Sequence, residues 1–139
     1  MTDIFTKEKR SQIMSRVKGS NTSLELIIFK LLDEKDLSFE KHSKLLHGKP
    51  DIVFPKKKLV VFIDGDFWHG WKFEEYKYKL TDYWFNKIKS NIIRDRKNRL
   101  LLKKNGWRII RLWEHRIAKN PSGCIETIQR ALLKSTSKQ

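Results

Sequence analysis

The feature that most constrains this chain is a pair of β-rich runs, Pro50–Phe54 and Leu59–Ile63, separated only by the basic turn Pro55-Lys56-Lys57-Lys58. Apolar, β-branched runs around so short a turn read as a hairpin. Helical patterns lie on either side. Leu24, Ile27, Ile28, Leu31 and Leu32 form an apolar stripe over about 22–35, with Asn21 or Thr22 as its cap. Glu25 stands about 100° round from Leu24, at the stripe's margin, where it can face a cleft edge. A long helix is expected from Asp82 to Lys104, with Trp84, Ile88, Ile92 and Leu100 on one side and a stop at Asn105-Gly106. Trp107–Trp113 reads as a third strand and Cys124–Lys134 as a closing helix. The order α-β-β-α-β-α implies an α/β domain with a mixed central sheet flanked by helices. Residues 1–20 read as a basic N-terminal arm, 21–134 as the domain, and 135–139 as a disordered tail.

At 139 residues the chain suits one domain with one modest core. Its longest apolar run, Leu59–Ile63, is far too short to span a bilayer, and no apolar signal core follows the start. The single cysteine, Cys124, offers neither an internal disulfide nor a Cys-x-x-Cys metal pair. A cytoplasmic protein is expected. Lys and Arg outnumber Asp and Glu by 31 to 16, a formal charge of +15. That excess favours a polyanion, because neutralising phosphates releases their condensed counterions. A membrane surface is the poorer partner, since neither a basic amphipathic helix nor a lipidation site is present.

Carboxylates beside apolar strands need a reason in so cationic a chain. If residues 55–58 form the turn, Phe54 faces Leu59, Asp51 lies opposite Phe62, and Asp64 is diagonal to Asp51 on the same sheet face. Diagonal side chains start roughly 7–8 Å apart, close enough for two carboxylates to share a cation. A slip of one residue would separate them. Mg²⁺ suits such a pair, because it prefers carboxylate oxygens and completes its shell with water and substrate phosphate. Downstream, His69 sits in a glycine-bounded loop, Gly65-Asp66-Phe67-Trp68-His69-Gly70, as a candidate base near neutral pH. Asp95, between Arg94 and Arg96, either orients that histidine or pairs with Arg99 one turn on.

Several of these motifs together resemble the Vsr (very-short-patch repair) endonuclease family. They are Pro50-Asp51, Phe62-Ile-Asp-Gly-Asp-Phe-Trp-His-Gly70, Tyr83-Trp84-Phe-Asn-Lys-Ile88, and Asn91 with Arg94-Asp95-Arg96. Gly106-Trp107 and Leu112-Trp113-Glu114 continue the series, and Arg10-Ser11, Met14-Ser15 and Asn21–Glu25 fit the family's N-terminal arm and first helix. The likeness runs from about residue 6 to 130.

The resemblance implies a restriction-endonuclease-like (PD-(D/E)XK-type) fold and Mg²⁺-dependent nicking of duplex DNA at a T·G mismatch. It implies Asp51 as metal ligand, Asp64 as a second, and the Ile63 backbone carbonyl as a third. His69 would activate water, Asp95 would support it, and Glu25 would hold a water or the N-terminal region near the metal. Phe67, Trp68 and Trp84 match aromatics wedged into DNA, although Trp84 fits a core position equally well. Lys87, Lys89, Arg94 and Arg96 are expected on phosphate, and Trp107 and Trp113 in the core. Many members bind structural zinc through cysteines at the positions of Asp66, Trp71 and His115. None is present here, so zinc is expected to be absent, with Trp71 filling part of its space. A bacterial or phage-type, nucleoid-associated monomer is implied, with repair or DNA-methylation proteins as candidate partners. The rival readings are a sequence-directed nicking, restriction or homing-type enzyme on the same core, and a DNA-binding protein without catalysis.

Overall fold

The computed structural model describes residues 23–134. The basic arm at 1–20, the cap at Asn21 or Thr22 and the tail at 135–139 lie outside the described residues. The hairpin forms at the expected register. Strand β2 (Ile52–Phe54) runs antiparallel to β3 (Leu59–Asp64), with Phe54 opposite Leu59 and Ile52 opposite Val61. The turn between them is a short 3₁₀ segment, Pro55–Lys57, closed by Lys58 in the left-handed conformation. A short strand that the sequence did not signal, β1 (Glu40–Lys41), pairs antiparallel with β2. On the other side β4 (Arg108–Trp113) pairs parallel with β3, so the sheet is mixed, in the order β1-β2-β3-β4.

Because successive strand residues alternate between faces, the hairpin feeds two cores. Ile52, Phe54, Leu59 and Val61 face helix α1 (Ser23–Glu34) and the C-terminal helices, with Ile28, Leu32, Ile117 and Ile128 fully buried among them. Val53 and Val60 face the opposite way, onto Leu102 of the long helix. Among the described residues five α-helices accompany the sheet: α1, then α2 (Phe73–Tyr76), α3 (Asp82–Lys104), α4 (Glu114–Lys119) and α5 (Pro121–Leu133). Thr81 caps α3 by accepting a bond from the Trp84 N–H, and Asn120 caps α5 by accepting from the Gly123 N–H. No helix among the described residues is long and apolar enough to cross a membrane.

Three expectations about burial need correcting. In α1 the buried face is Glu25, Ile28, Phe29 and Leu32, whereas Ile27 is exposed. Glu25 therefore points into the protein from the centre of the buried face, not from its margin. In α3 the apolar side includes Leu102 but not Leu100, which is 61% exposed. Trp107 and Trp113 are only half-buried, each under a cation: the Lys58 ammonium lies 4.8 Å from the Trp107 ring and the Arg111 guanidinium 4.3 Å from that of Trp113.

Candidate active site

The carboxylates collect at one end of the sheet, where β2 begins and β3 and β4 end. Asp51 stands just before β2, and its Oδ2 accepts a 2.7 Å bond from the Ile63 N–H on the neighbouring strand. That contact fixes the Asp51 carboxylate against the end of β3. Asp64, the last residue of β3, is buried, and its Oδ2 accepts a 2.7 Å bond from Arg111 Nε on β4. Arg111 and Asp64 share a sheet face because the parallel register sets Phe62 beside Arg111 and Asp64 beside Trp113. Glu25 reaches the same end from α1, and its Oε1 lies 2.7 Å from His42 Nε2.

The Asp51 carboxyl is pushed up to about 7. Burial is the chief cause; the Ile63 N–H opposes it, the negative charges of Glu25 and Asp64 add to it, and His42 opposes it. A buried carboxylate crowded by two others would gain from a divalent cation beside it. The donors are hard oxygens, so the residues present fit Mg²⁺.

His69 is delivered by the loop after β3. Its Nδ1 lies 2.6 Å from Asp95 Oδ2 on α3, while Nε2 is 3.6 Å from Asp64 Oδ1. Burial disfavours the imidazolium, but the Asp95 bond and the negative charges of Asp64 and Asp95 outweigh it and raise the His69 pKa above its ordinary value. The loop is held closely to α3. The Asn91 side-chain amide donates to the Trp68 carbonyl at 3.0 Å, and Gly70 takes φ +78 where any Cβ would collide with Ile92. Gly70 is thus required twice over, by its dihedral and by that approach.

The aromatic residues of the loop are half-buried. Phe67 lies edge-on to Trp84 at 5.4 Å and stacks on Tyr76 at 6.1 Å, and Trp68 and Trp84 join the same cluster around Phe73, Leu80 and Ile88. Lys87, Lys89, Arg94 and Arg96 are all exposed on α3. At about 100° per residue, Lys87 and Arg94 line one flank of the helix's buried face, and Lys89 and Arg96 the other. Lys87 lies over the Trp68 ring at 5.5 Å, and Arg94 stands 3.7 Å from Asp95.

Asp66, Trp71 and His115 come together on the far side of the loop. Asp66 Oδ1 lies 2.9 Å from His115 Nδ1 and accepts a 3.3 Å bond from its backbone N–H. Trp71 lies against the His115 ring with centroids 3.9 Å apart, and Glu114 Oε1 accepts from the Asp66 N–H. The loop is therefore tied to the start of α4 by the Asp66, Trp71, Glu114 and His115 side chains and by the backbone N–H groups of Asp66 and His115.

Two residues at the site escape a reading of the sequence. Arg111 could have been suspected as a charge inside the apolar run Ile109–Trp113. His42 lies in a polar stretch without periodicity, and nothing in the sequence points to it. Glu25, His42 and Asp51 each offer a ligand atom, and the three atoms lie within 4.8 Å of one another.

A mixed sheet between helices, with carboxylates converging where its strands end and a carboxylate-held histidine beside them, defines a restriction-endonuclease-like nuclease. A family model described as "DNA mismatch endonuclease Vsr" matches residues 2–75. The chain is 36% identical over 133 residues to the type II nicking enzyme V.NmeDIP of Neisseria meningitidis serogroup C, covering 94% of this chain and 90% of that one. It is 40% identical over 132 residues to V.NmeAIP, a type II nicking enzyme of N. meningitidis serogroup A, with 94% of each chain covered. With the DNA mismatch endonuclease Vsr of Escherichia coli K12 it shares 33% identity over 116 residues, covering 82% of this chain and 74% of that one. The chain belongs to the Vsr family and is an endodeoxyribonuclease acting on DNA.

Proposed function

We propose that the protein nicks one strand of duplex DNA beside a T·G mismatch, acting as a monomer with Mg²⁺ as cofactor. The observation that carries this reading is His69, held through Nδ1 by Asp95 with Nε2 turned toward the Asp64 and Asp51 end of the sheet. Asp51, Asp64 and the Ile63 backbone carbonyl would hold the ion. When bound, Mg²⁺ polarises the phosphoryl oxygen and stabilises the leaving alkoxide.

The remaining steps fall to the chain itself. With its Nδ1 proton donated to Asp95, His69 presents a basic Nε2 that takes a proton from the attacking water. Asp95 keeps the ring in that tautomer and orientation. Arg111 holds Asp64 in place, and Glu25 braces the Asp51 side of the site through His42. Lys87 and Arg94, on the flank of α3 beside the catalytic loop, meet the phosphate backbone, which positions the duplex without reading its sequence. Lys89 and Arg96 extend the basic surface on the other flank.

Selectivity for the mismatch falls to Phe67 and Trp68, backed by Trp84. Opening a base step costs a few kcal/mol, stacking on an aromatic ring returns roughly 1–3 kcal/mol per base, and a mismatched step opens at lower cost. The half-buried rings have to turn outward from the Tyr76 and Trp84 cluster to do this. Structural zinc has no role in this reading, because Asp66, Trp71 and His115 close the loop among themselves. That relatives are named nicking enzymes supports cleavage of a single strand. The test is strand-resolved cleavage of a T·G duplex and its T·A control, each with Mg²⁺ or with EDTA. Mg²⁺-dependent nicking confined to the T·G duplex supports the reading. Equal nicking of both duplexes would favour a sequence-directed enzyme, and intact duplex despite tight binding a non-catalytic one.

A further inference from the structure

The Glu25 side of Asp51 differs chemically from its Asp64 side, because it contains a nitrogen donor. His42 follows directly after β1, with its N–H donating to the Asp51 carbonyl at 2.9 Å, so the backbone itself holds residues 42 and 51 side by side. It takes φ +49, a left-handed conformation that histidine adopts more readily than most side chains. Its ring stands edge-on to Phe29 at 5.5 Å, which fixes the plane of the imidazole. In that pose Nε2 points at Glu25 Oε1, 2.7 Å away, in the same 4.8 Å cluster as Asp51.

We propose that His42 Nε2, Glu25 and Asp51 form a mixed nitrogen–oxygen cation site, distinct from the position between Asp51 and Asp64, that takes a first-row transition ion such as Mn²⁺. The inference rests on the reading of Asp51 as a metal ligand and adds a second position that shares it. Mg²⁺ favours an all-oxygen shell, whereas imidazole suits transition ions. Three protein donors leave room for water and a phosphate oxygen. The Glu25–His42 contact is then the closed form of the site, in which a hydrogen bond spans the gap that an ion would fill.

The test uses the full chain without DNA and Mn²⁺ as the probe, read by pulsed electron paramagnetic resonance for coupling to ¹⁴N. Coupling to one imidazole nitrogen is expected in the wild type. It should persist in His69→Gln, which removes the other histidine near the carboxylates, and vanish in His42→Gln. Gln can still donate to Glu25, so the fold should survive, as an unchanged melting curve would verify. Mn²⁺ affinity should drop roughly tenfold in His42→Gln, within the range for loss of a coordinating or orienting group, with Mg²⁺ affinity nearly constant. Bound Mn²⁺ without nitrogen coupling in the wild type, or coupling that survives in His42→Gln, overturns the proposal. Undiminished Mn²⁺ binding in Asp51→Asn would instead overturn the reading of Asp51 as a ligand.

Discussion

Replacing Asp51 by Asn should stabilise the protein while abolishing its activity, and the size of the effect follows from the site's electrostatics. Burial and neighbouring carboxylates push Asp51 up to about 7, against roughly 3.9 for an unperturbed Asp. Between those values the folded chain holds a proton that the unfolded chain has released, so stability falls as pH rises through this window. A tenfold change in proton affinity is about 1.4 kcal/mol, which makes ionised Asp51 cost at most about 4 kcal/mol at pH 8. Relaxation and water penetration bring the expected figure to about 2 kcal/mol. Asn keeps the acceptor for the Ile63 N–H and removes the charge. Urea unfolding in EDTA should therefore find Asp51→Asn more stable than wild type by about 2 kcal/mol at pH 8, with the gap reduced by more than half at pH 5. Added Mg²⁺ should narrow the gap at pH 8, because it binds and stabilises only the wild type. A variant no more stable than wild type at pH 8 in EDTA would refute the view of Asp51 as a crowded, cation-seeking carboxylate.

Other consequences are as direct. His69→Ala should lower the nicking rate on the order of 10²–10⁴, the usual contribution of a positioned base, with DNA affinity little changed; an unaltered pH–rate profile would remove His69 from the mechanism. In the wild type the rate should rise with pH as the raised His69 pKa is passed, and Asp95→Asn should move that limb to lower pH while slowing the reaction, since the bond and charge that favour the imidazolium are gone. Elemental analysis should find no stoichiometric zinc, and the melting temperature should be insensitive to chelator; one tightly held zinc per chain would contradict the closure of the loop by Asp66, Trp71 and His115. Replacing both Phe67 and Trp68 by Ala should erase most of the preference for T·G over T·A, while neutralising Lys87 should weaken both duplexes alike and flatten the salt dependence.

Much of the fold is legible in the sequence, and the reasons are local. The basic turn forms at residues 55–58, so Phe54 pairs with Leu59 as the spacing suggests and Asp51 comes to lie beside the end of β3. The stop signal Asn105-Gly106 ends α3 where the sequence places it, after Lys104. What escaped depends on tertiary packing. The rotation of α1 that buries Glu25 and exposes Ile27 is set by contact with the sheet and the C-terminal helices, not by the helix's own pattern. Asn120-Pro121 marks the start of α5 once seen as a capping asparagine before a proline at the first helical position, yet the apolar pattern begins only at Cys124. Helices as short as α2 and α4 carry too few residues to show a period. His42 is placed by a left-handed backbone and a two-residue strand, neither of which leaves a mark in composition or spacing.

The central claim is that one site, built on Asp51, cuts one strand at a mismatch. The most direct measurement follows each strand of a labelled T·G duplex, with Mg²⁺ and saturating protein, for wild type and Asp51→Ala side by side. The account predicts a single nick in the thymine strand by the wild type. Asp51→Ala should give none, although it binds the duplex as tightly or more tightly once a negative charge beside the phosphate is gone. Nicking by Asp51→Ala at even a tenth of the wild-type rate would contradict it.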